Sequence, residues 1–141
     1  MKQCHRWPSS GFTLLELLVV MVIIGLLAAY VGPRYFSQIG KSERSTAKMQ
    51  VEGFARALDA YRLDNGRYPT TDQGLAALFT APAGEGRWAG PYLQKAPPHD
   101  PWGRAYVYRS PSASGNEFDL LSLGRDGQVG GSAENADVSF H

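Results

Sequence analysis

From Phe12 to Val31 the chain runs for about twenty residues with one charge, Glu16, which is long enough for a single helix to cross a bilayer. Met1 to Gly11 carries Lys2 and Arg6 and no acid, so the positive-inside rule predicts a cytoplasmic N-terminus. Everything from Arg34 onward is then outside, although Arg34 itself reduces the asymmetry. A secretory signal has a shorter apolar region followed by small residues at the cut, a pattern that Ala28-Ala29-Tyr30 meets poorly.

An ionised carboxylate inside the apolar run costs several kcal/mol unless it is paired or lies near the interface. Two readings of Glu16 are open: it snorkels from one turn inside the polar edge, helped by the positive end of the helix dipole, or it has a partner.

The remaining composition excludes several classes. A formal net charge of +1 among 141 residues is not the basic surface that neutralises a phosphate backbone, so nucleic acid is not an expected partner. One cysteine, Cys4, supports neither an internal disulfide nor a cysteine-based zinc site. The 43% hydrophobic content suits one modest domain, but it is concentrated in the N-terminal run.

Beyond the run, Pro33 predicts a kink or local melting. Ala47, Val51, Phe54, Leu58 and Tyr61 then recur at helical spacing as one apolar stripe, with Lys48, Glu52 and Arg56 on a solvated face. Asn65-Gly66 supplies a stop, giving a stem from Phe12 to about Asp64, roughly 80 Å long if continuous. Thr70 and Gln73 fit a capping box before a short helix through Leu75 and Phe79. Residues 105–109 and 118–123 read as strands joined by a turn over 110–116, a small antiparallel sheet packed on the stem. The fold class is α+β.

Residues 126–137 concentrate oxygen-bearing side chains and glycines. Calcium takes six to eight oxygen ligands, including carbonyls that a glycine-rich loop can turn inward, whereas a transition metal would want His or Cys. A solvated loop with an Asp-Gly turn is the other reading. An enzyme is disfavoured. Beyond Gly11, His99 and His141 are the only histidines, no G-x-x-x-x-G-K-[ST] occurs, and the spacing of Asp100 and Asp126 suggests turn capping rather than a catalytic pair.

Gly11-Phe12-Thr13-Leu14-Leu15-Glu16, after a basic leader and before the apolar run, resembles the class III signal of type IV pilins and pseudopilins. The resemblance implies that a prepilin peptidase cuts between Gly11 and Phe12 and N-methylates the Phe12 amine, so the run is kept. It also implies that Glu16 neutralises the Phe12 ammonium of a neighbouring subunit in a filament. Loss of the leader removes Lys2, Arg6 and Cys4, leaving a slightly acidic, cysteine-free mature chain.

Residues 63–75, Asp100-Pro101-Trp102-Gly103 and residues 121–127 are similar to the major, G-type pseudopilins of type II secretion systems. This implies a type IV pilin-like fold and the following organisation: a cytoplasmic leader (1–11), a transmembrane and filament-core helix (12–34), and a periplasmic domain (35–141) with a calcium loop over 122–138. The implied setting is the Gram-negative inner membrane, single-pass, and then a pseudopilus that drives folded proteins across the outer membrane. Implied partners are other copies in a homopolymer, minor pseudopilins, prepilin peptidase, and the inner-membrane assembly platform with its cytoplasmic ATPase.

The resemblance further implies one structural calcium ion. Asp126 matches the aspartate of S-x-G-x-D-G, and Asp137 matches the last aspartate before an aliphatic residue, here Val138. Leu123, Arg125 and Ser132 would supply carbonyls. Asn135 stands where many relatives carry an acid, which predicts weaker affinity, with Glu134 as a substitute. Ser139-Phe140-His141 replaces the usual aromatic ending of Trp. A type IV pilin for adhesion or DNA uptake is the alternative, disfavoured by the missing disulfide pair.

Overall fold

Helix α1 spans Leu14–Asn65, 52 residues, and both ends have a local cause. At its start the Thr13 hydroxyl accepts the Glu16 N–H at 3.2 Å and the Thr13 carbonyl accepts the Leu17 N–H at 3.2 Å, the geometry of an N-cap. At its end Gly66 turns left-handed (φ 78°) and donates its N–H to the Arg62 carbonyl at 2.7 Å. The computed structural model describes residues 11–140; the leader residues 1–10 and His141 lie outside this range.

Pro33 neither ends nor melts α1, because the residues on both sides of it are helical. Proline removes one i to i−4 bond, and the intact turns on either side carry the helix through. The chain divides into two compact units after Gln38. In the first, Leu14 to Val31 is exposed throughout, Leu14 by 82% and Met21 by 71%, as expected of a surface suited to lipid or to other helices rather than water. This stretch is long and apolar enough to cross a membrane.

In the second unit the predicted stripe is the core. Ala47, Val51, Phe54, Leu58 and Tyr61 are buried, while Lys48, Glu52 and Arg56 are exposed. Against this stripe pack Leu75, Ala77 and Leu78 from a 3-10 helix, and Tyr106, Tyr108, Phe118 and Leu120 from the sheet region. The 3-10 helix covers Leu75–Leu78. The preceding turn is closed reciprocally, with the Gln73 N–H on Thr70 Oγ1 (3.3 Å) and the Thr70 N–H on Gln73 Oε1 (2.9 Å).

Three antiparallel strands complete the unit in the order β1 (Val107–Arg109), β2 (Asp119–Ser122), β3 (Val138–Ser139). Tyr108 pairs with Leu120, which sets both side chains on the buried face, and Ser122 pairs with Val138. The two predicted strands are present but shorter, and β3 escaped the sequence reading because two residues show no alternation. Burial pushes the Tyr106 and Tyr108 phenols up to about 12, so both stay protonated donors at neutral pH. Tyr106 donates to Gln50 on α1, and Tyr108 donates to the Pro69 carbonyl at 2.8 Å.

Candidate functional site

The C-terminal loop is built from a turn that lies twenty residues earlier in the chain. Asp100, only 4% exposed, accepts the Trp102 and Arg104 N–H groups on Oδ1 at 3.1 and 2.8 Å. Its Oδ2 accepts the Ser122 hydroxyl at 2.6 Å, and Ser122 Oγ in turn accepts the Gly124 N–H at 3.2 Å. A buried carboxylate is tolerated here because each oxygen has a donor. The turn is tied to α1 by Trp102 Nε1, which donates to Glu43 Oε2 at 3.0 Å.

Ser122 closes β2, and the loop leaves it through Gly124 (φ 63°). A Cβ at Gly124 would sit 2.9 Å from the Ala136 carbonyl oxygen, so the two arms of the loop pass too closely there for any side chain. Arg104, the residue after the turn, donates Nη1 to the Gly124 carbonyl at 2.8 Å and to the Arg125 carbonyl at 3.2 Å. On the returning arm Arg44 of α1 donates Nη1 to the Ala133 carbonyl and to the Ala136 carbonyl, the latter at 3.0 Å.

The residues singled out from sequence are distributed over these two arms. Leu123 and Arg125 lie on the outgoing arm. Asp126 is exposed, and its Oδ1 accepts the Gln128 N–H at 3.1 Å. Ser132 precedes a 3-10 turn over Ala133–Asn135, and its carbonyl accepts the Asn135 N–H at 3.1 Å. Asn135 is exposed, and its carbonyl oxygen lies 3.1 Å from where a Gly124 Cβ would be. Asp137 Oδ2 accepts the Gly130 N–H at 2.8 Å, whereas its Oδ1 is buried without a hydrogen-bond partner. The Glu134 side chain is outside the described set.

Among the described residues no group of three His, Cys, Asp or Glu side chains gathers to hold a metal. The oxygen atoms this loop carries are backbone carbonyls and the carboxylates of Asp126 and Asp137. That set suits a hard cation and no soft one, and the unpaired Asp137 Oδ1 is the kind of atom such a cation satisfies. The residues present fit calcium.

Sequence reading missed Arg44 and Arg104. Arg104 adjoins the quoted turn and could have been suspected, but Arg44 is 92 residues from Ala136 and left no signal. The C-terminus also has an anchor without tryptophan. Phe140 donates its N–H to the Leu120 carbonyl at 3.1 Å and stacks on Phe118 at 5.7 Å.

At the other end of the chain, Gly11, Phe12 and Thr13 are non-helical, Phe12 is 77% exposed, and Glu16 is in the first turn of α1. Among the described residues Glu16 makes no ion pair within its own chain. Residues 8–32 match the prokaryotic N-terminal methylation motif, and residues 34–141 match the family model of type II secretion system protein G.

The chain belongs to the type II secretion system protein G family. It is 46% identical over 137 residues to the type II secretion system core protein G of Pseudomonas aeruginosa, covering 95% of this chain and 96% of that one. The core protein G of Vibrio cholerae is 44% identical over 132 residues, covering 92% and 89%. The solved structure of the major pseudopilin from the type 2 secretion system of enterohaemorrhagic Escherichia coli superposes with a TM-score of 0.59 at 33% identity, covering 74% of this chain and 91% of that chain. The protein G family consists of structural pseudopilins rather than known enzymes, and the long helix with a three-stranded antiparallel sheet is its fold.

Proposed function

We propose that the chain is the major structural subunit of a type II secretion pseudopilus, anchored by a single helix in the inner membrane and polymerised in the periplasm. The observation that carries this reading is the joining, in one chain, of an N-terminal methylation motif over 8–32 to a protein G domain over 34–141. Prepilin peptidase cuts after Gly11 and methylates Phe12, and the retained helix moves from lipid into a helical bundle. Every copy brings one exposed apolar helix, so assembly replaces helix–lipid by helix–helix contacts, and the Glu16–Phe12 pair supplies the polar specificity that packing alone lacks. Minor pseudopilins, the assembly platform and its cytoplasmic ATPase complete the machine. The ATPase supplies the chemical work, and this subunit supplies the moving rod.

The C-terminal loop holds one calcium ion through Asp126, Asp137 and carbonyls from Leu123, Arg125 and Ser132, with Asn135 a neutral member of the set. The support is the buried, partnerless Asp137 Oδ1 on a glycine-rich loop that also carries Asp126. Calcium is expected to raise the melting temperature of the full-length protein in detergent, by about 9–13 °C at a hundredfold excess over Kd. Asp137→Ala removes the rise. Equal melting of the unsubstituted protein in calcium and in chelator contradicts the site.

A further inference from the structure

Two guanidinium groups enter the loop from outside it, and both act on its backbone rather than on its acids. Arg104 takes the carbonyls of Gly124 and Arg125 on the outgoing arm, and Arg44 takes those of Ala133 and Ala136 on the returning arm. A Cβ at Gly124 would meet the Ala136 carbonyl oxygen at 2.9 Å, so the two arginines act where the arms run close together. A charge-assisted bond to a carbonyl is stronger than a neutral one, and each arginine makes two from a single nitrogen.

The charges also balance. Two described acids, Asp126 and Asp137, lie on this loop, and Arg44 and Arg104 bring two positive charges to its backbone. In a site made of acids alone the empty loop is held open by repulsion until a cation enters. Here that repulsion is offset beforehand, on a loop where Asn135 already contributes no charge.

We infer that Arg44 and Arg104 are positioning residues that act as resident cations of the C-terminal loop. They close its two arms on their own carbonyls, so that a calcium ion tightens the loop but does not create its fold. The inference rests on the calcium reading only for the second half of that statement. Because Arg44 stands on α1 beside Glu43, which holds Trp102, the same turn of helix fixes both the loop and the turn beneath it.

The test is amide hydrogen exchange at Gly124, Gly130 and Asp137 in the full-length protein in detergent, with EGTA and with calcium chloride. These three amides are bonded to Ser122, to the Asp137 side chain and to the Gly130 carbonyl. In EGTA the unsubstituted loop is expected to be protected, and the Arg44→Gln/Arg104→Gln double variant to exchange at least about tenfold faster, with calcium restoring most of the protection. The calcium-induced rise in melting temperature should be larger in the double variant than in the parent. If the double variant does not fold, Arg104→Lys, which keeps the charge but shortens the reach, should show a smaller acceleration in EGTA. Three outcomes overturn the inference: no acceleration in EGTA, a parent loop that is unprotected without calcium, or equal loss of protection with and without calcium. Acceleration in EGTA with no calcium response in any protein leaves the arginines as loop cations and removes the calcium site instead.

Discussion

Glu16→Ala is expected to abolish pseudopilus assembly and the secretion that depends on it, while leaving the subunit processed, inserted and folded. The structure makes this substitution a clean probe, because the Thr13 hydroxyl caps the Glu16 backbone N–H, which alanine retains, so the helix start is untouched. In the lone subunit the carboxylate has no ion-pair partner within the described chain, and removing it from an apolar span relieves a cost. In the filament the loss has the opposite sign. The Phe12 ammonium of a neighbour would remain in the apolar bundle without its counter-ion, and breaking such a pair costs about 3–5 kcal/mol. That corresponds to roughly two to four orders of magnitude in each subunit's association constant. Membrane levels and processing, followed by immunoblot, should be unchanged, and sheared or cross-linked filaments should disappear. Glu16→Gln keeps the volume without the charge and should fail similarly. Undiminished secretion by either variant contradicts the charge-pairing account.

Asp100→Ala is expected to give the largest loss of stability of any polar substitution in the second unit. It would leave the Trp102 and Arg104 N–H groups and the Ser122 hydroxyl without the acceptor that now satisfies all of them, in a place where Ser122 is fully buried. Unpaired buried polar groups cost about 1–3 kcal/mol each, and partial relaxation brings the expected total to about 3 kcal/mol. For a domain of this size that lowers the melting temperature by about 10–15 °C. The damage should spread to the C-terminal loop, since Ser122 orients Gly124 and Arg104 grips the Gly124 carbonyl. Asp100→Asn preserves an acceptor for the two amides and offers Ser122 a donor, so it should cost about 1 kcal/mol. If the alanine variant melts with the parent, Asp100 does not organise the turn.

Much of this was legible in the sequence, for reasons that differ along the chain. The exposed apolar run and the stem stripe were readable because length and a one-sided core each leave a pattern in sequence, and Val51, Phe54, Leu58 and Tyr61 obey the second. The Thr70–Gln73 box was readable because both halves lie within one turn. Of the two outcomes expected at Pro33, local melting does not occur, because a proline removes one bond and the neighbouring turns continue. The loop was legible as a motif and not as an architecture. Its supports are Asp100 from a distant turn and Arg44 from the helix, and contacts across such separations have no local period to betray them. The two-residue strand β3 and the stacking of Phe140 on Phe118 likewise exist only once the chain has folded back.

The central claim is that the apolar helix beginning at Phe12 is a retained, processed assembly element and not a plain anchor or a removed signal. Intact-mass spectrometry of the protein purified from its membranes, with fragmentation of the N-terminal peptide, tests this most directly. The account predicts a chain that starts at Phe12 and carries a methyl group on its α-amine; a chain that starts at Met1, or one that starts after Ala29, contradicts it.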